Sequence, residues 1–118
     1  AAGDTVLVEV ARRLTENLRI SDLLARIGGE EFLVVLPQTG LCDAERVAER
    51  LRQIVADQPI RLPDGDTIIV TVSIGVAVGR LGQTGEEDVA TVLDRADRAL
   101  LLSKSGGRNL VTFSQSAA

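Results

Sequence analysis

Two adjacent glutamates follow a pair of glycines in the segment Gly28-Gly29-Glu30-Glu31-Phe32. Carboxylates are the oxygen ligands that divalent cations prefer, and glycine backbone lets a phosphate group approach closely. The same segment is also typical of a hairpin turn followed by two solvated glutamates. Because successive strand residues point to opposite faces, only one of Glu30 and Glu31 is expected to be a primary metal ligand, and the sequence does not decide which.

The residue types that the chain lacks exclude several classes of site. Its 118 residues include no histidine and one cysteine. The chain therefore cannot by itself form a nucleophile activated by histidine, a zinc site of histidines or of several thiolates, or an internal disulfide. The carboxylates, cations, hydroxyls and backbone that remain suit a metal bound by oxygen atoms and a phosphate-bearing substrate. We expect Cys42 to be a thiol without a functional role.

The charge and the apolar pattern of the chain limit the kinds of partner that it is expected to bind. Thirteen basic and seventeen acidic residues give a net charge of −4, and the aromatic residues are two phenylalanines, with no tyrosine or tryptophan. This composition argues against binding to nucleic acid, which needs a basic surface or stacking rings. The longest apolar runs are far shorter than the roughly 20 residues of a membrane helix, and no export leader is visible. We therefore expect no direct membrane contact.

The first part of the chain is predicted to hold a helix and a hairpin. Apolar residues at three- and four-residue spacing over residues 7–18 predict a helix capped by Asp4, with Arg13 on its polar face. Two strands, 23–27 and 31–36, are predicted around the glycine pair, because tight hairpin turns need positive φ. The two glutamates would then lie at the start of the second strand.

A second helix and a long strand are predicted in the middle of the chain. Asp43 is expected to cap the helix. Its inward stripe is predicted to be Ala44, Val47, Ala48, Leu51 and Ile54 or Val55. Residues 67–78 are nearly all apolar and rich in β-branched types, which predicts one strand covered on both faces.

The last part of the chain is predicted to hold a third helix and a short strand. Thr84 and Glu87 fit a capping box for the helix, which is expected to end at the glycines of residues 104–107. Its inward residues are predicted to be Val89, Val92, Leu93, Ala96 and Leu100. Residues 109–113 are predicted to form the final strand. This order of elements indicates an α/β or α+β sandwich, with helices packed against a sheet, in one domain over residues 1–118.

Three segments together resemble the GGDEF family of diguanylate cyclases. They are the GGEEF hairpin, the SIGVA segment at residues 73–77, and the stretch from Ala96-Asp97 through Lys104 to Gly107-Arg108-Asn109. The resemblance extends from Ala1 to about Val111. It implies a central antiparallel-rich sheet flanked by helices, similar to nucleotidyl cyclase and polymerase palm domains. It also implies a homodimer in which each domain holds GTP and Mg²⁺ or Mn²⁺ and the two GTP molecules condense to cyclic di-GMP and two pyrophosphates.

The resemblance assigns roles to the motif residues. Glu30 matches the family position for metal binding and activation of the attacking hydroxyl, and Glu31 matches a second required position. Gly28 and Gly29 match the turn that lies against the nucleotide phosphates. Asp4 matches the aspartate that recognises guanine, as an alternative to its role as a helix cap.

Two cations near the end of the chain also match family positions. Lys104 and Arg108 match residues that contact the triphosphate. The alternative is that they are cations favourably placed at the carboxyl end of a helix.

A second constellation is regulatory. Arg19 and Asp22 form an R-x-x-D motif that is separated from GGEEF by five residues, which is the spacing of the family's product-inhibition site. There the arginine and the carboxylate would both read guanine. Arg50 matches the additional arginine that reaches the ligand. The alternative is an ordinary exposed ion pair between Arg19 and Asp22.

The chain departs from the family pattern at its front. The family's first strand, with the primary metal aspartate, would lie upstream of Gly3-Asp4, so the chain is expected to be a partial domain without cyclase activity by itself. Either the parent is a complete bacterial cyclase acting in the cytoplasm, or the protein is a non-catalytic module that binds cyclic di-GMP or GTP as a sensor. A smaller departure is Leu101, where the family commonly has an aromatic residue.

Overall fold

Helices and short strands alternate along the chain in a computed structural model that describes residues 2–80 and 88–114. In chain order they are α1 (Ala2–Glu16), β1 (Leu23–Gly28), β2 (Glu31–Val35), α2 (Leu41–Asp57), β3 (Ile60–Arg61), β4 (Thr67–Ile68), β5 (Ile74–Val76), α3 (Val89–Ser105) and β6 (Val111–Phe113). The α/β class predicted from the sequence is confirmed.

The strands pair in two-stranded sheets within the described residues. β1 pairs with β2 and β3 with β4 in antiparallel fashion, whereas β5 and β6 are parallel. A parallel pair needs a crossover connection, and α3 is the helix in that crossover. The segments predicted to pair at the GGEEF turn do so, and the final strand is confirmed in a shorter form.

The hairpin turn depends on its two glycines. Gly28 and Gly29 have φ of 148° and 50°, which side-chain-bearing residues rarely adopt. The register runs from Leu23 opposite Val35 to Arg26 opposite Phe32 and then shifts by a bulge at the turn. The Nε of Arg26 donates to the carbonyl oxygen of Gly29 across 2.8 Å, and this hydrogen bond stabilises the turn.

The core lies between α1 and α2 and extends into β3, which follows α2. Its buried residues are Val10, Leu14, Leu51, Val55 and Ile60. Of the stripe predicted for α2, Ala44, Ala48, Leu51 and Val55 are buried, so that prediction is confirmed.

Arg13 was predicted on the polar face of the first helix, and the structure places it inside the contact between α1 and α2. It is 7% exposed. Its guanidinium donates to the carbonyl oxygens of Val55, Gln58 and Pro59 across 2.8 to 3.0 Å and to Glu9 Oε2 across 2.8 Å. The prediction was wrong because the carbonyl groups at the end of α2 need donors, and a long cationic side chain can supply them.

The predicted helix caps need correction. Asp4 lies within the first turn of α1, and Asp43 lies within the first turn of α2, where Gly40 is the N-cap residue. Acidic residues in a first turn still interact favourably with the free amide groups there. Thr84 and Glu87 lie outside the described residues, and the N-cap of α3 is Asp88, whose Oδ1 accepts from the Thr91 amide across 2.8 Å.

The single strand predicted over residues 67–78 is also wrong. The segment contains β4 and β5 with irregular backbone between them, and Ile69 is 56% exposed. β-branched composition favours a strand only where a neighbouring strand pairs with it. Within the described residues β4 pairs with β3 and β5 with β6.

Helix α3 lies unusually close to β5. A Cβ atom on Gly75 would come within 2.2 Å of the Ala96 carbonyl oxygen and the Leu100 amide nitrogen. The buried residues of α3 are Ala99 and Ser103. Of the stripe predicted for this helix, Val92, Ala96 and Leu100 are half-buried, whereas Val89 and Leu93 are exposed. The prediction is therefore confirmed in part, because the contact with Gly75 of β5 forms at Ala96 and Leu100 and leaves Val89 and Leu93 outside it.

Candidate active site

The hairpin presents two carboxylates at its turn. Glu30 and Glu31 are both exposed, and Glu31 is the first residue of β2. The Lys104 Nζ lies 3.7 Å from Glu31 Oε2. The structure therefore brings the Lys104 side chain, from the last turn of α3, to the GGEEF hairpin, although the two partners are 73 positions apart in the chain.

The loop after α3 turns back on the helix end. The Gly106 amide donates to the Leu102 carbonyl oxygen across 2.8 Å, and the Arg108 amide donates to the Ser103 carbonyl oxygen across 3.0 Å. Gly107 has φ of 116°, as predicted for a glycine that ends a helix. Arg108, which is exposed, lies in this loop four residues after Lys104.

Three residues to which the sequence assigned no role hold this loop in place. The Asn109 amide donates to Ser73 Oγ across 3.2 Å, and Arg52 Nη1 donates to Asn109 Oδ1 across 2.9 Å. Ser73 and Asn109 belong to segments already noted for their resemblance. Arg52 gave no signal beyond its spacing from Glu49, because its partner is 57 residues away.

The carboxylates at the turn suit part of a metal site. Among residues 2–80 and 88–114, no three acidic or cysteine side chains form a group that could hold a metal ion. Mg²⁺ commonly takes one or two protein carboxylates and completes its shell with substrate phosphates and water. Glu30 and Glu31 therefore fit as part of such a shell.

Asp4 lies in the first turn of α1. It lines an open depression of about 580 Å³ together with Val8, Glu9, Ile60 and Arg61.

The R-x-x-D motif forms a closed turn between α1 and β1. The Arg19 amide donates to Asp22 Oδ2 across 2.7 Å, and Arg19 Nη2 donates to Asp22 Oδ1 across 3.0 Å. The Asp22 side chain is 3% exposed and that of Arg19 is 60% exposed. The hydrogen bond from Arg19 holds the pKa of the Asp22 carboxyl below its usual value. The carboxylate is therefore an ionised, covered group rather than one half of a fully solvated pair.

Other residues of the same corner complete this turn. Arg19 Nη2 also contacts Thr39 Oγ1 at 3.0 Å and the Pro37 carbonyl oxygen at 3.3 Å. Arg50 Nη2 donates to the Asn17 carbonyl oxygen across 2.9 Å. The structure therefore brings Arg50 of α2 to the segment that precedes Arg19.

No helix in the described residues combines the length and apolar composition that crossing a membrane would require. The thiol of Cys42 is exposed and forms no disulfide.

Known proteins similar to this chain share its motifs and fold. The family model for "Diguanylate cyclase, GGDEF domain" matches residues 1–110. Diguanylate cyclase A of Treponema denticola is 45% identical over 115 residues, which are 98% of this chain and 30% of that protein. The chain spans less than a third of the length of the curated relatives it matches.

Solved structures of GGDEF domains are also similar to this chain. The GGDEF domain of TpbB from Pseudomonas aeruginosa superimposes with a TM-score of 0.86 at 38% identity and covers 98% of this chain, which covers 65% of that one. The GGDEF domain of DgcB from Caulobacter crescentus, solved in complex with c-di-GMP, gives a TM-score of 0.83 at 31% identity, with coverages of 96% and 65%.

Proposed function

This chain belongs to the GGDEF family of diguanylate cyclase domains, and on that premise we propose that it is the larger part of a catalytic domain that makes cyclic di-GMP. In this reaction the 3′-hydroxyl of each of two GTP molecules attacks the α-phosphorus of the other, and two pyrophosphates leave. Catalysis requires a homodimer, because each domain holds one GTP. The domain acts in the bacterial cytoplasm, in a protein longer than this chain.

The observation that carries this proposal is the approach of Lys104 to the GGEEF hairpin. It places a cation 3.7 Å from one of two adjacent carboxylates, beside a turn whose glycines expose the backbone. Carboxylates that hold a divalent cation and a lysine that contacts phosphate are the complementary parts of a site for a nucleoside triphosphate.

Each residue then has a role toward GTP. Glu30 holds Mg²⁺ or Mn²⁺ and orients the attacking hydroxyl, with Glu31 beside it. Gly28 and Gly29 let the phosphates approach the turn. The ion, when bound, neutralises charge that develops on the phosphates.

Cations and one carboxylate complete the substrate contacts. Lys104 and Arg108 bind the triphosphate from the end of α3. Asp4 recognises guanine, since a carboxylate can accept hydrogen bonds from both the N1–H and the exocyclic amine of that base.

The test of catalysis is Glu30→Ala in the full-length protein that contains this chain. We expect loss of cyclic di-GMP synthesis with an unchanged unfolding transition, because Glu30 is exposed at a turn and contributes little to the core. Glu45→Ala, an exposed glutamate of α2, is the matched control and should retain synthesis. Turnover at the wild-type rate in Glu30→Ala would remove Glu30 from the reaction.

We also propose that the product inhibits the enzyme at the corner formed by Arg19, Asp22 and Arg50. The covered Asp22 carboxylate and the exposed Arg19 guanidinium support this, because together they offer an acceptor and donors to a guanine base. To bind the product, the guanidinium must release Asp22 Oδ1 and exchange its contacts with Pro37 and Thr39.

The test of inhibition is Asp22→Ala in the full-length protein. Because the variant lacks a charged hydrogen-bonding partner, about ten times more cyclic di-GMP should be needed to halve the rate. Asp94→Ala, which removes an exposed ion pair with Arg98, is the control. Unchanged inhibition in Asp22→Ala would show that this corner is not the product site.

A second candidate is a sensor that binds cyclic di-GMP without turnover. The observation that favours it is the corner itself, where Arg19 pairs with Asp22 and Arg50 contacts the neighbouring Asn17. Calorimetry separates the two proposals: a sensor binds cyclic di-GMP with affinity that Arg19→Ala abolishes, and its full-length form synthesises none from GTP.

A further inference from the structure

Arg52 connects α2 to the loop that follows α3. Its Nη1 donates to Asn109 Oδ1 across 2.9 Å, and its Nε donates to Glu49 Oε1 across 3.0 Å. The side chain is 19% exposed. Glu49 lies three residues earlier on the same helix, so it orients the guanidinium from its own element. The planar guanidinium is therefore held on one side and directs a donor at Asn109 on the other.

The loop that Arg52 contacts has a backbone conformation that needs support. Arg108 and Asn109 have φ of 64° and 50°. Two successive non-glycine residues persist in the left-handed region only when surrounding contacts hold them there. Three contacts do so in this structure. The Arg108 amide donates to the Ser103 carbonyl oxygen, the Asn109 amide donates to Ser73 Oγ, and the Asn109 side chain accepts from Arg52.

We propose that Arg52 is a positioning residue for the substrate phosphates. Through Asn109 it fixes the backbone of the loop and so the direction in which Arg108 extends. This inference rests on the proposed function, since it takes Arg108 to be a contact of the GTP triphosphate. Arg52 acts through the loop because its own donors are directed at Glu49 and Asn109.

The position of Arg52 on its helix separates it from the product corner. At 3.6 residues per turn, Arg50 and Arg52 point about 200° apart around the axis of α2. Arg50 accordingly reaches Asn17 after α1, and Arg52 reaches Asn109 after α3. A loss of Arg52 should thus alter the use of GTP without acting through the Arg19–Asp22 turn.

The test is steady-state kinetics of cyclic di-GMP synthesis by the full-length protein that contains this chain. Arg52→Ala should raise the KM for GTP about tenfold, with a smaller change in kcat, because a misdirected Arg108 weakens phosphate binding. Arg46→Ala is the matched control: Arg46 lies on α2, its side chain is 81% exposed, and among the described residues its one ion pair is with Asp43 at 4.0 Å. This control should keep the wild-type KM.

Two variants of Asn109 separate its backbone from its side chain. Asn109→Gly adopts positive φ without cost but removes the acceptor for Arg52, whereas Asn109→Asp keeps an acceptor. We expect the KM for GTP to rise in Asn109→Gly about as much as in Arg52→Ala, and to rise less in Asn109→Asp. Equal effects of the two Asn109 variants would overturn it.

A double variant tests whether Arg52 acts through Arg108. In an Arg108→Ala background, Arg52→Ala should raise the KM no further, because the cation that it positions is absent. Additive effects would overturn the positioning role, as would a KM within about twofold of wild type in Arg52→Ala accompanied only by a lower Tm. A wild-type protein that neither binds nor converts GTP would overturn the proposed function as well, which distinguishes the two failures.

Discussion

Arg13 carries a positive charge into the contact between α1 and α2 and uses it on backbone carbonyl groups. It donates to the carbonyl oxygens of Val55, Gln58 and Pro59, which end α2 and begin the next segment. Those oxygens lie where a helix lacks its own donors. Arg13 thus links the two helices more specifically than the apolar residues around it.

Replacement of Arg13 should therefore destabilise the chain strongly. Arg13→Ala leaves partly buried carbonyl groups without a donor and is expected to lower the free energy of unfolding by about 3 kcal/mol. Urea denaturation measures this. The neighbouring Arg12→Ala is the control, since the Arg12 side chain is 53% exposed and, within residues 2–80 and 88–114, pairs only with Glu9 and Glu16. Its loss should cost less than about 1 kcal/mol. Equal losses in the two variants would contradict this account of Arg13.

Glu9 makes the stability of α1 depend on pH. Hydrogen bonds from Arg12 and Arg13 lower the pKa of its carboxyl from 4.5 to about 2. A carboxyl whose pKa is lower in the folded state stabilises the fold above its unfolded pKa, and this contribution is lost as the pH falls through the folded pKa. The contribution of Glu9 is thus complete above about pH 4.5 and disappears toward pH 2.

The urea midpoint of Glu9→Gln, measured as a function of pH, tests this expectation. The variant should be less stable than wild type near neutral pH, and the difference should shrink as the pH falls from 4.5 to about 2. Glu45→Gln serves as the control because Glu45 is exposed and pairs with no arginine in the part of the chain described. A difference for Glu9→Gln that stays constant over this range would refute the assignment.

At the scale of elements, the contact between β5 and α3 depends on Gly75. Gly75→Ala would place a Cβ 2.2 Å from two backbone atoms of α3, so the helix must move away from the strand. Backbone cannot rotate aside as a side chain can, and we expect a loss of at least about 2 kcal/mol in the free energy of unfolding. Gly3→Ala in α1, with no atom within 4 Å of the added Cβ, should cause no loss. Equal thermal stability of both variants would show that the contact relaxes freely.

Elements specified by local chemistry were predicted well from the sequence. The hairpin follows from the need for positive φ at Gly28 and Gly29, and the buried face of α2 follows from its 3.6-residue period. Residues 67–78 were mispredicted because strand formation depends on partners that local composition does not reveal. The buried position of Arg13 likewise depends on carbonyl groups 42 to 46 residues away.

The residues of the candidate site likewise include some that a local pattern predicts and some that depend on distant partners. The hairpin carboxylates and the Arg19–Asp22 pair were predictable because each group lies within a few consecutive residues. The approach of Lys104 to Glu31 joins residues 73 positions apart, which no local pattern in the sequence predicts. Arg52 was not found, because a hydrogen bond between residues 57 positions apart leaves no periodic pattern in a single sequence.

For the whole molecule, the described residues place two adjacent carboxylates at the GGEEF turn, and no three acidic or cysteine side chains among them form a group that could hold a metal ion by itself. We therefore predict that the 118-residue chain alone, incubated with GTP and Mg²⁺, makes no cyclic di-GMP. Chromatography of the nucleotides measures this, with the full-length protein under the same conditions as the positive control. Cyclic di-GMP formed by the chain alone would show that these residues suffice.

The two arginines on opposite sides of α2 have a consequence for chimeras between related domains. Arg50 donates to a backbone carbonyl oxygen, which any residue at position 17 would provide. Arg52 donates to the side chain of Asn109, so a transplanted α2 that carries this arginine requires an acceptor at position 109 of the recipient. The helix can therefore be exchanged without regard to the residue after α1, whereas the loop after α3 must be inherited together with it.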